Sequence, residues 1–185
     1  MFLAANPSDQ IGLQTDVEHR KIQAELKQGT SRDLYEFLHP KFGLTLNEFL
    51  RALNDKPDII HFSGHGTRDG IVIVDQNNQH IIIPTEALKY LFKRAKEYVK
   101  IVVLNACHSA AQAEVISKYG IYVVGNNLEI GDDAAVNFAS TLYLELGQGN
   151  SLEDAYQSAK FVLMVQNPKF AEVVEVWKDR KLLDL

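Results

Sequence analysis

Cysteine is almost missing from this chain: among 185 residues there is one, Cys107, so no disulfide can form within it. The fold must therefore rest on its hydrophobic core, and a reducing compartment, the cytoplasm, is expected. No apolar run approaches the roughly 18 residues that a membrane span needs, and no signal-peptide pattern opens the chain, so no membrane partner is expected. Basic charge is not in excess either. Nineteen Lys and Arg stand against 24 Asp and Glu, for a net charge of −5. With no basic stripe, direct binding of nucleic acid is not expected. The densest basic stretch, KRAKEYVK, carries a glutamate inside it and reads as the solvated face of a helix. Internal repeats, low-complexity tracts and linkers are lacking too. The remaining composition is ordinary, at 46% hydrophobic and 23% charged, and a chain of this length can bury a core without staples.

Apolar runs alternate with amphipathic stretches. MFLAA reads as a strand and NPSD as a turn, and Met1 is either the true start or the edge of a domain taken from a larger protein. Residues 15–28 read as a helix with an acidic start and Gly29 as its stop. LYEFL (residues 34–38) alternates like a short strand ending at Pro40. Leu46, Phe49, Leu50 and Leu53 share one helical face. IIHFS (residues 59–63) is a strand, and IVIV and IIIP flank DQNNQH as a β-hairpin over residues 71–83. A helix carrying Leu88, Leu91, Phe92 and Ala95 leads to the β-branched strand IVVLNA (residues 101–106). A small-residue helix from Ser109, the strand IYVVG (residues 121–125) and two further helices follow. Ser151 is the expected cap of the last one. This alternation implies an α/β fold, a mostly parallel sheet covered on both faces, in a single domain over residues 1–185.

Two stretches carry chemistry. DIIHFSGHG ends just past one strand with His65 between Gly64 and Gly66, and KIVVLNACHSA ends just past another with Cys107. In an open α/β sheet, ligands bind beyond the carboxyl ends of the strands. If the two strands are parallel neighbours, thiol and imidazole emerge at one edge. An imidazole is the usual means of turning a thiol into a nucleophilic thiolate, and a helix starting near Ser109 would help through its dipole. The glycines would leave the backbone open, so that an N–H beside His65 and that of Cys107 could donate to a developing oxyanion. Other readings stand beside this one. Cys107 could be a small core residue, GHG a turn with an incidental histidine, and His61 and His108 the further ligands of a zinc site, although zinc wants three or four. A nucleotide site of flavodoxin type would use GHGTRDG, which lacks phosphate-loop spacing and does not run into a helix.

The pair HFSGHG and VVLNACHSA resembles the His and Cys motifs of the caspase-like (clan CD) cysteine peptidases, and more narrowly the bacterial CHAT domain. FLAANPSD resembles the opening strand and turn of that family. The run from VVGNNLEIGDDAAVNF to LEDAYQSAK resembles its last strand, specificity loop and helix pair. The resemblance implies a three-layer α/β/α caspase-like fold with a small β-hairpin. It implies a cysteine endopeptidase in which His65 is the base, Cys107 the nucleophile, and Gly66 and Cys107 the donors of the oxyanion hole. Peptide bonds would be hydrolysed through a thioester acyl-enzyme, without metal or organic cofactor. His108 matches a histidine common after the cysteine and is given no catalytic role. Asn105 stands where basic-specific relatives carry an aspartate, which puts a basic P1 preference in doubt. Glu129, Asp132 and Asp133 fall in the specificity loop and are substrate-binding candidates, the two aspartates being expected first of all to cap the following helix. Arg68 is the one basic residue near either motif, so aspartate specificity is unsupported. A protein or peptide substrate and an activating domain or partner are the implied partners, in a regulated effector of bacterial defence or signalling. The alternative function is a catalytically silent interaction module with the same fold.

Overall fold

The computed structural model describes residues 1–185. Its chain forms two compact units. The first comprises Met1–Leu13, Leu38–Glu129 and Glu175–Asp184, and holds the sheets. The second comprises Gln14–Phe37 and Ile130–Val174 with Leu185, and is largely helical.

The strand-forming runs assemble into a seven-stranded sheet in the order β10-β9-β8-β7-β3-β1-β2. The members are β1 (Phe2–Ala5), β2 (Lys41–Phe42), β3 (Ile59–Gly64), β7 (Ile101–Asn105), β8 (Tyr122–Asn126), β9 (Val174–Lys178) and β10 (Lys181–Leu182). The pairs β1–β2, β1–β3, β3–β7 and β7–β8 are parallel, and β9–β10 is antiparallel. Parallel neighbours require crossovers, and helices α2 (Leu46–Asn54), α3 (Thr85–Ala95) and α4 (Ala110–Ser117) lie in those connections. Their apolar faces close one core with the sheet. Phe49, Leu53, Leu88, Phe92 and Ile116 meet Ile60, Phe62, Val102, Leu104 and Val123. The alternate residues His61, Val103 and Val124 are buried as well, so both faces of the central strands are covered, as their near-continuous apolar runs require. His61 stacks on Phe2 with ring centroids 5.2 Å apart.

A separate three-stranded antiparallel sheet contains β4 (Gly66–Thr67), β5 (Gly70–Val74) and β6 (His80–Pro84). The turn between β5 and β6 is built on Asp75, whose Oδ1 accepts from the backbone N–H of Asn77 (2.8 Å) and of Gln79 (2.9 Å).

The helical unit contains α1 (Thr15–Gln28), α5 (Asp132–Gly147), α6 (Leu152–Gln166) and the short α7 (Pro168–Ala171). The hydroxyl of Ser151 caps α6 by accepting from the Asp154 N–H, 3.1 Å. Helices α5 and α6 meet through an edge-to-face contact of Phe138 and Tyr156. The ends of α1 and α5 come so close that a Cβ on Gly29 would stand 2.2 Å from the Gly147 carbonyl oxygen. No helix is long and apolar enough to cross a membrane.

Two expectations need correction, and one segment is added. Residues 34–38 form no strand. A 3-10 turn over Arg32–Leu34 precedes them, Leu34 is exposed, and Tyr35 is held by its hydroxyl donating to the Leu146 carbonyl (2.8 Å) rather than by a ladder. The tail beyond Pro168, for which sequence carried no assignment, supplies β9 and β10. Helix α5 is not capped by an aspartate. Gly131 is the N-cap, with no side-chain bond. Asp132 and Asp133 sit in the first turn, where they complement the helix dipole. Their carboxylates accept from the Gln14 backbone N–H (3.0 Å) and side-chain amide (2.9 Å) instead.

Candidate active site at the sheet edge

The parallel register of β3 on β7 pairs Ser63 with Asn105. His65 and Cys107 each follow that rung by two residues, so the two segments leave adjacent strands, about 4.8 Å apart, at the same edge. Both residues are half-buried, and Cys107 is a free thiol. The two turns touch. A Cβ placed on Gly66 would lie 2.3 Å from the Cys107 carbonyl oxygen and 3.0 Å from the Ala106 Cβ. Gly64 is equally confined, with the Phe62 ring at 2.9 Å and the Ala5 carbonyl oxygen at 3.0 Å from its Cβ position. The open backbone expected from these glycines is thus not open space. Their missing side chains let neighbouring backbones close up.

The corner that carries Cys107 is built by a polar network. His108 adopts φ +55, a left-handed conformation that costs a residue bearing a side chain roughly 1 kcal/mol and turns the chain from β7 toward α4. Ser109 is fully buried. Its hydroxyl hydrogen lies between the carbonyls of Ala106 (2.8 Å) and Leu104 (3.2 Å), and its oxygen accepts from the buried Asn126 N–H, 2.9 Å. The Asn126 side-chain amide also donates to Ala106, 3.3 Å. One helix turn further, Gln112 is fully buried, and its amide donates to Thr85 Oγ1 (2.8 Å) and to the Thr67 carbonyl (3.3 Å). The helix after the cysteine is thereby clamped to the strand after the histidine.

The imidazole is oriented by the backbone. Its Nε2 lies 2.8 Å from the Ile11 carbonyl oxygen. A carbonyl only accepts, so Nε2 carries the hydrogen and the lone pair of the neutral ring is on Nδ1. On the same segment, the Val72 N–H donates to the His65 carbonyl (3.0 Å). Gly66 and Ile71 therefore form the non-hydrogen-bonded rung, and the Gly66 N–H turns away from the β5 ladder.

The remaining candidates are distributed as follows. Asn105 closes β7, half-exposed, opposite Ser63. Glu129 is exposed, with its carboxylate 3.8 Å from His108 Nε2. Arg68 is exposed, and only its carbonyl is engaged, by Gln112 at 3.4 Å. Asp132 belongs to the helical unit. There it lines a cleft of about 310 Å³ with Asp133, Gln14, Asn137 and Phe170. No group of three His, Cys, Asp or Glu side chains converges as a metal ion would need. Sequence reasoning missed Ile11, Ser109, Gln112 and Asn126 as parts of the site. Ser109 had been visible only as a helix start, and Ile11 acts through a carbonyl that every residue has.

The family model described as CHAT domain matches residues 13–177. A protein of Gillisia limnaea named "Probable protease" is 27% identical over 98% of this chain and 33% of its own length. A "Roc-COR-CHAT protease" of Runella zeae is 27% identical over 77% of this chain and 15% of its own. The chain thus spans about a third or less of these relatives. Among solved structures, the Arg-specific cysteine proteinase gingipain R superposes with a TM-score of 0.65 at 12% identity, over 98% of this chain and 46% of that one. The fold is thus caspase-like, and the chain belongs to the CHAT domain family.

Proposed function

We propose that this chain is a cysteine endopeptidase domain acting through Cys107 and His65. The single observation that carries the reading is the shared rung, which sets thiol and imidazole at equal offsets on one sheet edge. The protease names of the two relatives support it. With Nε2–H committed to Ile11, Nδ1 accepts the Cys107 proton. The thiolate attacks the peptide carbonyl, and the N–H groups of Gly66 and Cys107 receive the oxyanion. The imidazolium then gives its proton to the leaving amine, and the S–C bond remains as a thioester. Water, deprotonated by His65, adds to that thioester, and the acid departs as sulfur takes the proton back. Asn105, Glu129 and Asp132 are the side chains assigned to substrate recognition. Residues 1–185 act as one domain of a longer, regulated bacterial effector in the cytoplasm, in defence or signalling, whose partner or flanking domain switches the activity.

The test uses peptide hydrolysis and thiol labelling together. Iodoacetamide should label Cys107 at about pH 6, and His65→Ala should suppress that labelling. Cys107→Ala and His65→Ala should each abolish cleavage of a peptide library with the melting temperature little changed. Full proteolysis by Cys107→Ala would sink the mechanism. Labelling indifferent to His65, with no cleavage, would make the domain a silent interaction module.

A further inference from the structure

The carbonyl that orients His65 sits on a segment with little else to hold it. Ile11 itself is 84% exposed, so no packing of its side chain fixes the backbone there. The segment is closed at its base by Asn6, whose side chain donates to the Leu13 carbonyl and accepts from the Leu13 N–H, both at 3.2 Å. Its outer part is fastened to the turn between β5 and β6, far away in sequence. The Ser8 N–H and hydroxyl both donate to the Asn78 carbonyl at 2.9 Å, and the Gln79 amide donates to Ser8 Oγ at 3.0 Å. Asp9 completes the attachment in two-pronged fashion. Its Oδ1 accepts from the His80 backbone N–H (3.1 Å), and its Oδ2 from His80 Nδ1–H (2.7 Å). The His80 hydrogen bond is also the main reason why the Asp9 carboxyl is held below the ordinary carboxylate range.

We propose that Asp9 and His80 are positioning residues: their paired hydrogen bonds staple the segment Asn6–Leu13 to the β5–β6 turn and so hold the Ile11 carbonyl against His65 Nε2. The inference rests on the peptidase reading and deepens it. Neither residue is among those assigned to catalysis or substrate recognition. Both are partly exposed, so the pair adds little to global stability. Its effect falls on the geometry of the imidazole, where displacements of about 1 Å can cost up to roughly a hundredfold in rate. The β5–β6 hairpin, which the peptidase chemistry does not otherwise use, then acts as the anchor of the orienting carbonyl.

The experiment compares Asp9→Ala, His80→Ala and the double variant with the parent chain. It follows iodoacetamide alkylation of Cys107 across about pH 5 to 9, amide hydrogen exchange of the Ser8 and Leu13 N–H groups, and melting. Each single variant should exchange faster at those amides and lose on the order of tenfold in alkylation at about pH 6, with melting nearly unchanged. The double variant should lose no more than either single one, because one staple breaks only once. Wild-type alkylation and exchange in the single variants, or losses that multiply in the double, would overturn the staple while leaving the dyad intact. If His65→Ala leaves alkylation of the parent chain unaltered, the dyad itself falls, and the positioning role with it.

Discussion

Gly66 presses on the carbonyl of the proposed nucleophile, and the obstacle at its Cβ position is backbone, which no rotamer change can move aside. Gly66→Ala must therefore push the β4 segment off the Cys107 corner and carry the Gly66 N–H and His65 with it. We expect roughly a hundredfold loss in kcat/KM for peptide hydrolysis and about 1–3 kcal/mol of destabilisation, measured by kinetics beside urea unfolding. At this scale His65 and Cys107 were legible because each is a chemically distinctive side chain next to a strand end. Ile11 was not, since its contribution is a main-chain oxygen and its own side chain faces solvent. Gly64 and Gly66 were legible as special positions, and the structure adds a packing reason that sequence did not offer. The Cβ positions are taken by the Ala106–Cys107 corner at Gly66 and by the Phe62 ring and the Ala5 carbonyl at Gly64.

Among the elements, α1 and α5 depend on the absence of two side chains where they meet. The Cβ position of Gly29 is 2.2 Å from the Gly147 carbonyl oxygen, and the Ser31 N–H donates to that same carbonyl at 2.9 Å. Gly29→Ala should splay the two helix ends and cost about 1–3 kcal/mol, read as a lower urea midpoint and faster hydrogen exchange over residues 26–31. The regular elements were readable wherever burial wrote a period into the chain, as in α2 and in the strands at Ile59 and Ile101. Reading failed where pairing rather than burial makes the strand. β2 and β10 are two residues long, too short to write a period, whereas LYEFL has the alternation but no ladder to join. The aspartates that open α5 looked like caps because acidic residues favour any helix start. The choice between cap and first turn depends on Gln14, far away in sequence.

For the molecule as a whole, alkaline pH acts through tyrosines whose ionisation burial opposes. Burial, helped by the nearby Glu18 carboxylate and by Tyr35, pushes the Tyr143 hydroxyl far up from its ordinary value of 10.0. Burial raises Tyr35 as well. Above about pH 10 the unfolded chain releases these protons while the folded one keeps them. The unfolded state then binds fewer protons, and stability falls as pH rises. It should be insensitive to these groups below about pH 9, and Tyr143→Phe should make the alkaline decline shallower, as urea midpoints across about pH 8 to 11 would show. A Tyr143→Phe decline as steep as that of the parent would assign the alkaline limb to other groups.

Because thiol and imidazole are both counted from the rung joining Ser63 to Asn105, the length of chain running between those two residues does not set the sheet edge at which they emerge. Related proteins are free to lengthen or shorten that interval wherever it anchors neither the Ile11 carbonyl nor α4. A single residue gained or lost between rung and either reactive group would turn the partners out of step, so the two spacers are the part of the family's architecture that drift should leave untouched.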